Sequence, residues 1–157
     1  MAYVAPRGVG PTAFEASVKK QTQTRRRFYL LGQTLDGMQV WDTRRAIQAL
    51  RTIAPFEKTD VWLQAEGAMA GNALYASLYE PDIKRLDLHK LPATHREGPI
   101  YLNLERFMNM PEAVALAAER SRVVIYQQKA DGWAFPTEVI EKLGWDKKNL
   151  QVRTLPE

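Results

Sequence analysis

Four short segments between Val61 and Thr154 have the composition of β-strands, and helical segments separate them. Strands are predicted at residues 61–65, 84–89, 122–127 and 150–154, and helices at residues 70–79, 111–119 and 136–143. Each step from strand to strand has about the length that a right-handed crossover needs. This order predicts an α/β fold, a parallel sheet with flanking helices.

A longer helix is predicted before the first strand, over residues 33–54. Its apolar residues recur at helical spacing, and its charged residues fall on another face. Thr34 or Asp36 can cap its start, and Pro55 lies just past its end.

The composition fits one globular domain over residues 1–157, because 45% of the residues are apolar and 25% are charged. There is no cysteine, which excludes disulfides and thiolate nucleophiles, and two histidines leave few ligands for a metal. We expect no metal and no cofactor. No apolar run has the length of a membrane span, and no signal peptide is evident. A cytoplasmic location is expected, or an extracellular one if the chain is a fragment of a longer secreted protein.

The net charge of +4 is concentrated in residues 1–32, a basic N-terminal segment that leads into the first long helix. Phe28 and Tyr29 follow the basic run instead of interleaving with it, whereas nucleic-acid binding favours interleaved aromatic residues. No nucleic-acid partner is expected from this segment. Its cations are expected to be solvated or paired with carboxylates; they are Arg7, Lys19, Lys20, Arg25, Arg26 and Arg27.

The stretch Gly67-Ala68-Met69-Ala70-Gly71 lies between a predicted strand and a predicted helix. A hydrolase nucleophile elbow uses small flanking residues because the turn from strand to helix is sharp. In that frame Met69 stands where the nucleophile belongs. The alternative is a core methionine at an ordinary tight turn.

Three further stretches accompany this one: VAPRGVG at residues 4–10, RRRFYLLGQTLDG at residues 25–37, and WDTRRA at residues 41–46. Together with the turn they resemble the C-terminal part of an α/β-hydrolase, similar to acetyl-xylan-esterase-like and dienelactone-hydrolase-like proteins. The resemblance implies a partial, N-terminally truncated α/β-hydrolase fold without the family's first three strands. Either residues 3–6 lie beside the strand at 61–65, or another chain fills that place. Unpaired strand edges and an uncovered apolar face then predict a homo-oligomer or a partner chain that completes the sheet.

The resemblance also assigns site residues. The family order is nucleophile, acid, histidine, and Asp131 occupies the region of the acid, although Asp131-Gly132 can equally be a simple turn. Met69 has no ionisable proton and cannot attack an ester, and no histidine follows Asp131. The amide of Ala70 is the candidate for half of an oxyanion hole.

The two histidines, His89 and His95, can be a base or a metal pair with Asp87 and Glu97, or can hold the long 91–110 loop by hydrogen bonds. Their spacing does not match helical metal-ligand spacing. If catalysis survives, His95 is the candidate base. Ser77 or Thr94 is then the candidate nucleophile.

Two functional hypotheses follow. The first is a catalytically degenerate α/β-hydrolase-like protein that acts in binding or assembly, with a small-molecule ester or carbohydrate as a ligand. The second is a carboxylic ester hydrolase that uses a non-family or shared active site.

Overall fold

The computed structural model describes residues 1–14, 17–129 and 131–154. The five helices within these ranges are α1 (Val18–Leu30), α2 (Leu35–Arg51), α3 (Ala68–Tyr79), α4 (Met110–Ala118) and α5 (Ala134–Leu143). The four strands are β1 (Val61–Glu66), β2 (Ile83–His89), β3 (Arg122–Gln127) and β4 (Leu150–Thr154). Short 3-10 turns form at Gly10–Thr12, Ala54–Phe56, Leu104–Arg106 and Lys147–Asn149.

The four strands form one parallel sheet in the order β1-β2-β3-β4. The predicted α/β class and the parallel sheet with accompanying helices are confirmed. Strands β3 and β4 have the predicted bounds, whereas β1 and β2 are each one residue longer. A register shift between Val61 and Trp62 makes Trp62 the neighbour of Arg85 on β2.

The three crossover helices lie on one face of the sheet. Each joins adjacent parallel strands, and right-handed crossovers between successive neighbours always return on the same side. Helix α3 packs on β1 and β2, α4 packs on β3, and α4 lies between α3 and α5. The core forms between this helical layer and the inward side chains of the two central strands, which are Leu86, Leu88, Val123 and Ile125.

Helix α2 packs on α3 through its buried residues Val40 and Ile47. Thr34 caps it as predicted, since its hydroxyl accepts a hydrogen bond of 2.9 Å from the Gly37 amide. The helix ends at Arg51, before the predicted end at residue 54. Residues 54–56 instead form a 3-10 turn that contains Pro55.

The N-terminal segment differs from the prediction in two ways. Residues 18–30 form helix α1, none of whose residues is buried, so 13 residues of the basic segment are themselves helical. Residues 3–6 form no strand, and in the described sheet β1 pairs with β2 alone. The hypothesis that residues 3–6 lie beside β1 is therefore wrong.

The other face of the sheet carries no crossover helix within residues 1–14, 17–129 and 131–154, and we call it the open face. Only one of its residues, Val124, is aliphatic, so this face of the sheet is mainly polar and aromatic. The strand registers align its side chains in three lateral rows: Trp62, Arg85 and Arg122; then Gln64, Asp87, Val124 and Gln151; then Glu66, His89, Tyr126 and Arg153. This alternation of polar and apolar residues differs from parallel sheets buried on both faces, whose strands are apolar throughout.

Candidate functional site

The carboxyl ends of the strands are where open parallel α/β sheets usually place their ligands. At this edge the turn at Gly67 joins β1 to α3, and the long 91–109 connection leaves the end of β2. The Gly67 amide donates a hydrogen bond of 2.9 Å to the carbonyl of His89, which fixes the turn to the neighbouring strand.

Gly67 is the residue on which the chain turns. It has φ 61° and ψ −132°, a conformation that residues with a Cβ rarely adopt. Strand β1 ends one residue before Gly67, and α3 begins one residue after it. A Cβ placed on Gly67 would meet no atom within 4 Å, so the backbone conformation and not crowding accounts for glycine here.

Met69 does not occupy the turn, since it is the second residue of helix α3. Its sulfur lies 3.5 Å from the side-chain amide nitrogen of Asn72. In a nucleophile elbow the nucleophile sits on the strained strand-to-helix turn. That geometry belongs to Gly67, two residues before the position that the sequence pattern indicated.

The amide of Ala70 donates to the carbonyl of Gly67 at 3.0 Å. It is therefore not free to form half of an oxyanion hole, because the first turn of α3 already uses it. Among the described residues, the amides of Ala68 and Met69 have no hydrogen-bond acceptor at this helix start.

Gly71 serves packing and not the turn. A Cβ on Gly71 would lie 2.5 Å from Cδ and 2.7 Å from Cγ of Pro99. The two glycines that frame the motif thus have separate causes, backbone strain at Gly67 and close contact with the loop at Gly71.

A neutralised ion pair lies beside the turn. The Lys90 ammonium is 2.6 Å from the Glu66 carboxylate, and both side chains are largely exposed. This hydrogen bond, together with the charge of Lys90, lowers the pKa of Glu66. The pair leaves no uncompensated charge from these two residues beside Gly67.

His95 is buried, with 7% of its surface exposed, and both ring nitrogens have partners. Nδ1 lies 2.9 Å from the carbonyl oxygen of Pro99, which can only accept, so we assign the proton to Nδ1. Nε2 then accepts the hydroxyl proton of Tyr75 at 2.7 Å. This arrangement holds the loop, as the structural alternative for His95 predicted.

Among the described residues, the side chains of the other candidate residues make no hydrogen bond to the His95 ring. Ser77 donates its hydroxyl to the carbonyl of Leu74 at 2.6 Å, and Thr94 accepts from Asn109 at 3.2 Å. Asp131 is exposed, and its carbonyl oxygen accepts from Gln127. No hydrogen bond or ion pair within the described ranges links Asp131, His95 and the Gly67 turn.

The second histidine, His89, lies on the open face. Its ring stacks on Tyr126 with centroids 4.4 Å apart and an angle of 6° between the planes. Within the described residues no group of three or more potential ligands could hold a metal ion.

A chain of hydrogen bonds with a buried centre was not predicted from the sequence. The hydroxyl of Tyr101 donates to Asn72 at 2.6 Å, Asn72 donates to Gln39 at 2.9 Å, and Gln39 donates to the carbonyl of Arg7 at 2.9 Å. The chain ties the loop, α3, α2 and the N-terminal segment together. One signal was available, since Asn72 is the only amide side chain in a helix of small and apolar residues.

Two tyrosines meet at this network with an edge-to-face contact, their centroids 4.8 Å apart. Burial raises the pKa of Tyr75 and of Tyr101 well above the ordinary phenol value. Both phenols therefore act as neutral hydrogen-bond donors.

A cleft of about 600 Å³ opens next to the network. Asp42 holds the guanidinium of Arg7 at its wall with contacts of 2.6 and 2.8 Å, and this contact lowers the pKa of Asp42. The remaining wall is largely apolar and aromatic; its residues include Thr34, Met38, Trp41, Tyr101 and Leu102.

Comparisons of the chain with protein-family models, curated proteins and solved structures gave no match. None of the helices in the described ranges is both long and apolar enough to cross a bilayer.

We predict that Gly67→Ala destabilises the protein by about 1–2 kcal/mol, because alanine must adopt the positive φ of the turn. Urea unfolding monitored by circular dichroism measures the change. The control is Ala68→Ser at the exposed neighbouring position, which should stay within about 0.5 kcal/mol of the parent. An unchanged stability of Gly67→Ala would contradict the assignment of strain to this residue.

We also predict that the buried phenols make stability fall at alkaline pH. Their pKa values are raised in the folded state, so the folded protein binds the protons more tightly. Their contribution is constant below the ordinary phenol pKa of about 10 and is lost above it, by as much as about 1.4 kcal/mol per pH unit for each phenol. Above pH 10 the urea midpoint should fall less steeply with pH in the double variant Tyr75→Phe, Tyr101→Phe than in the parent. The prediction would be wrong if the midpoints of both proteins fell equally steeply with pH.

Proposed function

We propose that this chain is a catalytically degenerate α/β-hydrolase-like protein that acts through binding or assembly. The observation that carries the proposal is the turn at Gly67, where a strand, a strained residue and a helix follow one another as in a nucleophile elbow. The strained residue has no side chain, so it has no nucleophile.

The sheet is compatible with this interpretation. In the family's strand order, 1-2-4-3-5-6-7-8, the last four strands are adjacent and consecutive, as β1 to β4 are. The family nucleophile follows the fifth strand, and the Gly67 turn follows β1. This agreement supports the resemblance through topology and does not depend on residue identity at the turn.

The histidine chemistry also favours a non-catalytic role. A general base needs a free ring nitrogen within reach of the nucleophile. His95 uses Nδ1 for a carbonyl and Nε2 for Tyr75, and the phenol of Tyr75 is held in its neutral form by burial. The alternative function, a carboxylic ester hydrolase with a non-family or shared site, requires this network to open.

The proposal places a small-molecule ester or carbohydrate in the cleft beside Arg7. Its volume is in the range of small-molecule sites, and its wall combines Trp41 and Tyr101 with a few polar groups. Arg7 already shares its charge with Asp42, so the cleft favours a neutral ligand over an anion.

Assembly is proposed at the edges of the sheet. Strand β1 is paired on one side only, and its inward residues Val61, Leu63 and Ala65 are only partly buried. An unpaired edge over a partly covered core is a site where another strand can add. The proposed partner is a second copy of this chain or a separate chain that completes the sheet.

The test is hydrolysis of p-nitrophenyl acetate. We expect the parent protein to release p-nitrophenol no faster than His95→Gln, because neither has a nucleophile beside a free base. Circular dichroism checks that both proteins are folded. Turnover by the parent that is lost in folded His95→Gln would favour the ester hydrolase instead.

A further inference from the structure

We propose that the open face of the sheet binds single-stranded nucleic acid. The inference rests on the proposed role in binding, but it concerns a surface separate from the Gly67 turn and from the cleft. It also concerns residues other than the basic N-terminal segment, from which no nucleic-acid partner was expected.

The open face has more cations than its own carboxylates neutralise. Asp87 accepts from Arg85 at 2.8 Å and from the Tyr126 hydroxyl at 3.1 Å, and Glu66 is paired with Lys90. Both acidic residues of the face are therefore occupied. Two arginines on β3 and β4 have no carboxylate partner among the described residues.

These two arginines, Arg122 and Arg153, share one acceptor. Each donates from Nη2 to the side-chain oxygen of Gln151 at 3.0 Å. The Nε atom of Arg122 is buried and has no hydrogen-bond partner in the part of the chain that the structure describes. Within the described residues Arg153 is exposed and makes a single side-chain hydrogen bond, so its other donors can bind a phosphate, whereas the buried Nε of Arg122 is out of reach of a ligand.

The arrangement of like charges also indicates an anionic occupant. Arg85 and Arg122 are direct neighbours across β2 and β3. Two like charges at neighbouring positions repel each other. Asp87 compensates the charge of Arg85. A phosphate bound near Arg122 would compensate the charge of the second arginine.

Aromatic side chains interleave with these cations. The Arg85 guanidinium lies 5.1 Å from the centroid of the Trp62 ring, and 64% of the Trp62 surface remains exposed. Arg153 lies 5.7 Å from the centroid of Tyr126, whose ring also stacks on His89. The faces of Tyr126 are occupied in this way, so Trp62 is the residue that can stack on a base.

This combination favours nucleic acid over an acidic protein. An acidic peptide would use the arginines and leave Trp62 without a role, whereas a nucleotide uses both through its phosphate and its base. The open face is three strand spacings wide from β1 to β4, about 14 Å, and Arg153 lies two rows further along the strands than Trp62. A sheet face of this width suits an unpaired strand and does not enter a duplex groove, which admits a helix or a two-stranded ribbon.

The experiment is fluorescence anisotropy with labelled oligo-U and oligo-dT of about ten nucleotides, a site size typical of single-strand binding surfaces. A duplex of equal length and polyglutamate serve as competitors. The test variants are Trp62→Ala, Trp62→Phe and the double variant Arg122→Gln, Arg153→Gln. The matched control is Arg25→Gln, Arg26→Gln, which removes the same charge from the exposed helix α1.

We expect binding to weaken about tenfold in Trp62→Ala and to be largely kept in Trp62→Phe, which retains an aromatic face. The Arg122→Gln, Arg153→Gln variant should also bind more weakly. The slope of log affinity against log salt should become shallower by about 1.4, since each phosphate contact on a single strand contributes about 0.7. The control should bind like the parent.

The proposal would be overturned if neither oligonucleotide bound, or if the duplex or polyglutamate competed as well as the unlabelled oligonucleotide. It would also be overturned if the α1 control lost as much binding as the Trp62 and the Arg122, Arg153 variants. Circular dichroism of each variant separates a lost contact from a lost fold. The ester assay contains no nucleic acid, so its result bears on the proposed function and not on this surface.

Discussion

The handedness of the crossover connections determines most of this structure. Four parallel strands that follow one another in space as in sequence must place all three connecting helices on one face of the sheet. The inward residues of the central strands, such as Leu86 and Ile125, are then fully buried. The outward residues between them remain at a surface, which explains why Arg85, Asp87 and Tyr126 can occupy the central strands of a parallel sheet. The Gly67 turn lies at the strand ends, whereas Arg85, Arg122 and Arg153 lie on the open face. The candidate site at the turn and the proposed nucleic-acid surface are therefore separate.

The sequence predicted the strands well because their signal is local. The β-branched centre of β3 and the turn residues around it mark that strand without knowledge of its neighbours. Helix α1 was missed, since a helix without a buried face has no apolar periodicity to detect. The early end of α2 follows from a 3-10 turn at Pro55, which an apolar pattern alone does not distinguish from a further helical turn.

The candidate site was only partly predictable. The sequence locates the strand-to-helix turn, but it does not distinguish the structural roles of Gly67 and Gly71. Their different causes, a positive φ at Gly67 and the approach of Pro99 to Gly71, exist only in three dimensions. The partners of His95 come from α3 and from the loop, and no local pattern connects it with Tyr75. The arginines of the open face become neighbours through strand register, since Arg122 and Arg153 are far apart in sequence and both reach Gln151. Interleaved cations and aromatic residues are therefore present in the fold although no segment of the chain shows them.

The central claim is that one face of the sheet is open, and hydroxyl-radical footprinting with mass spectrometry tests it most directly. Trp62 and Trp133 provide an internal comparison, because 64% of the surface of Trp62 is exposed and only 2% of that of Trp133. Labelling of the native protein at two concentrations should modify Trp62 quickly at the lower one and leave Trp133 protected at both. Protection of Trp62 equal to that of Trp133 at the lower concentration would contradict the account, since it would mean that the face is covered within the single chain.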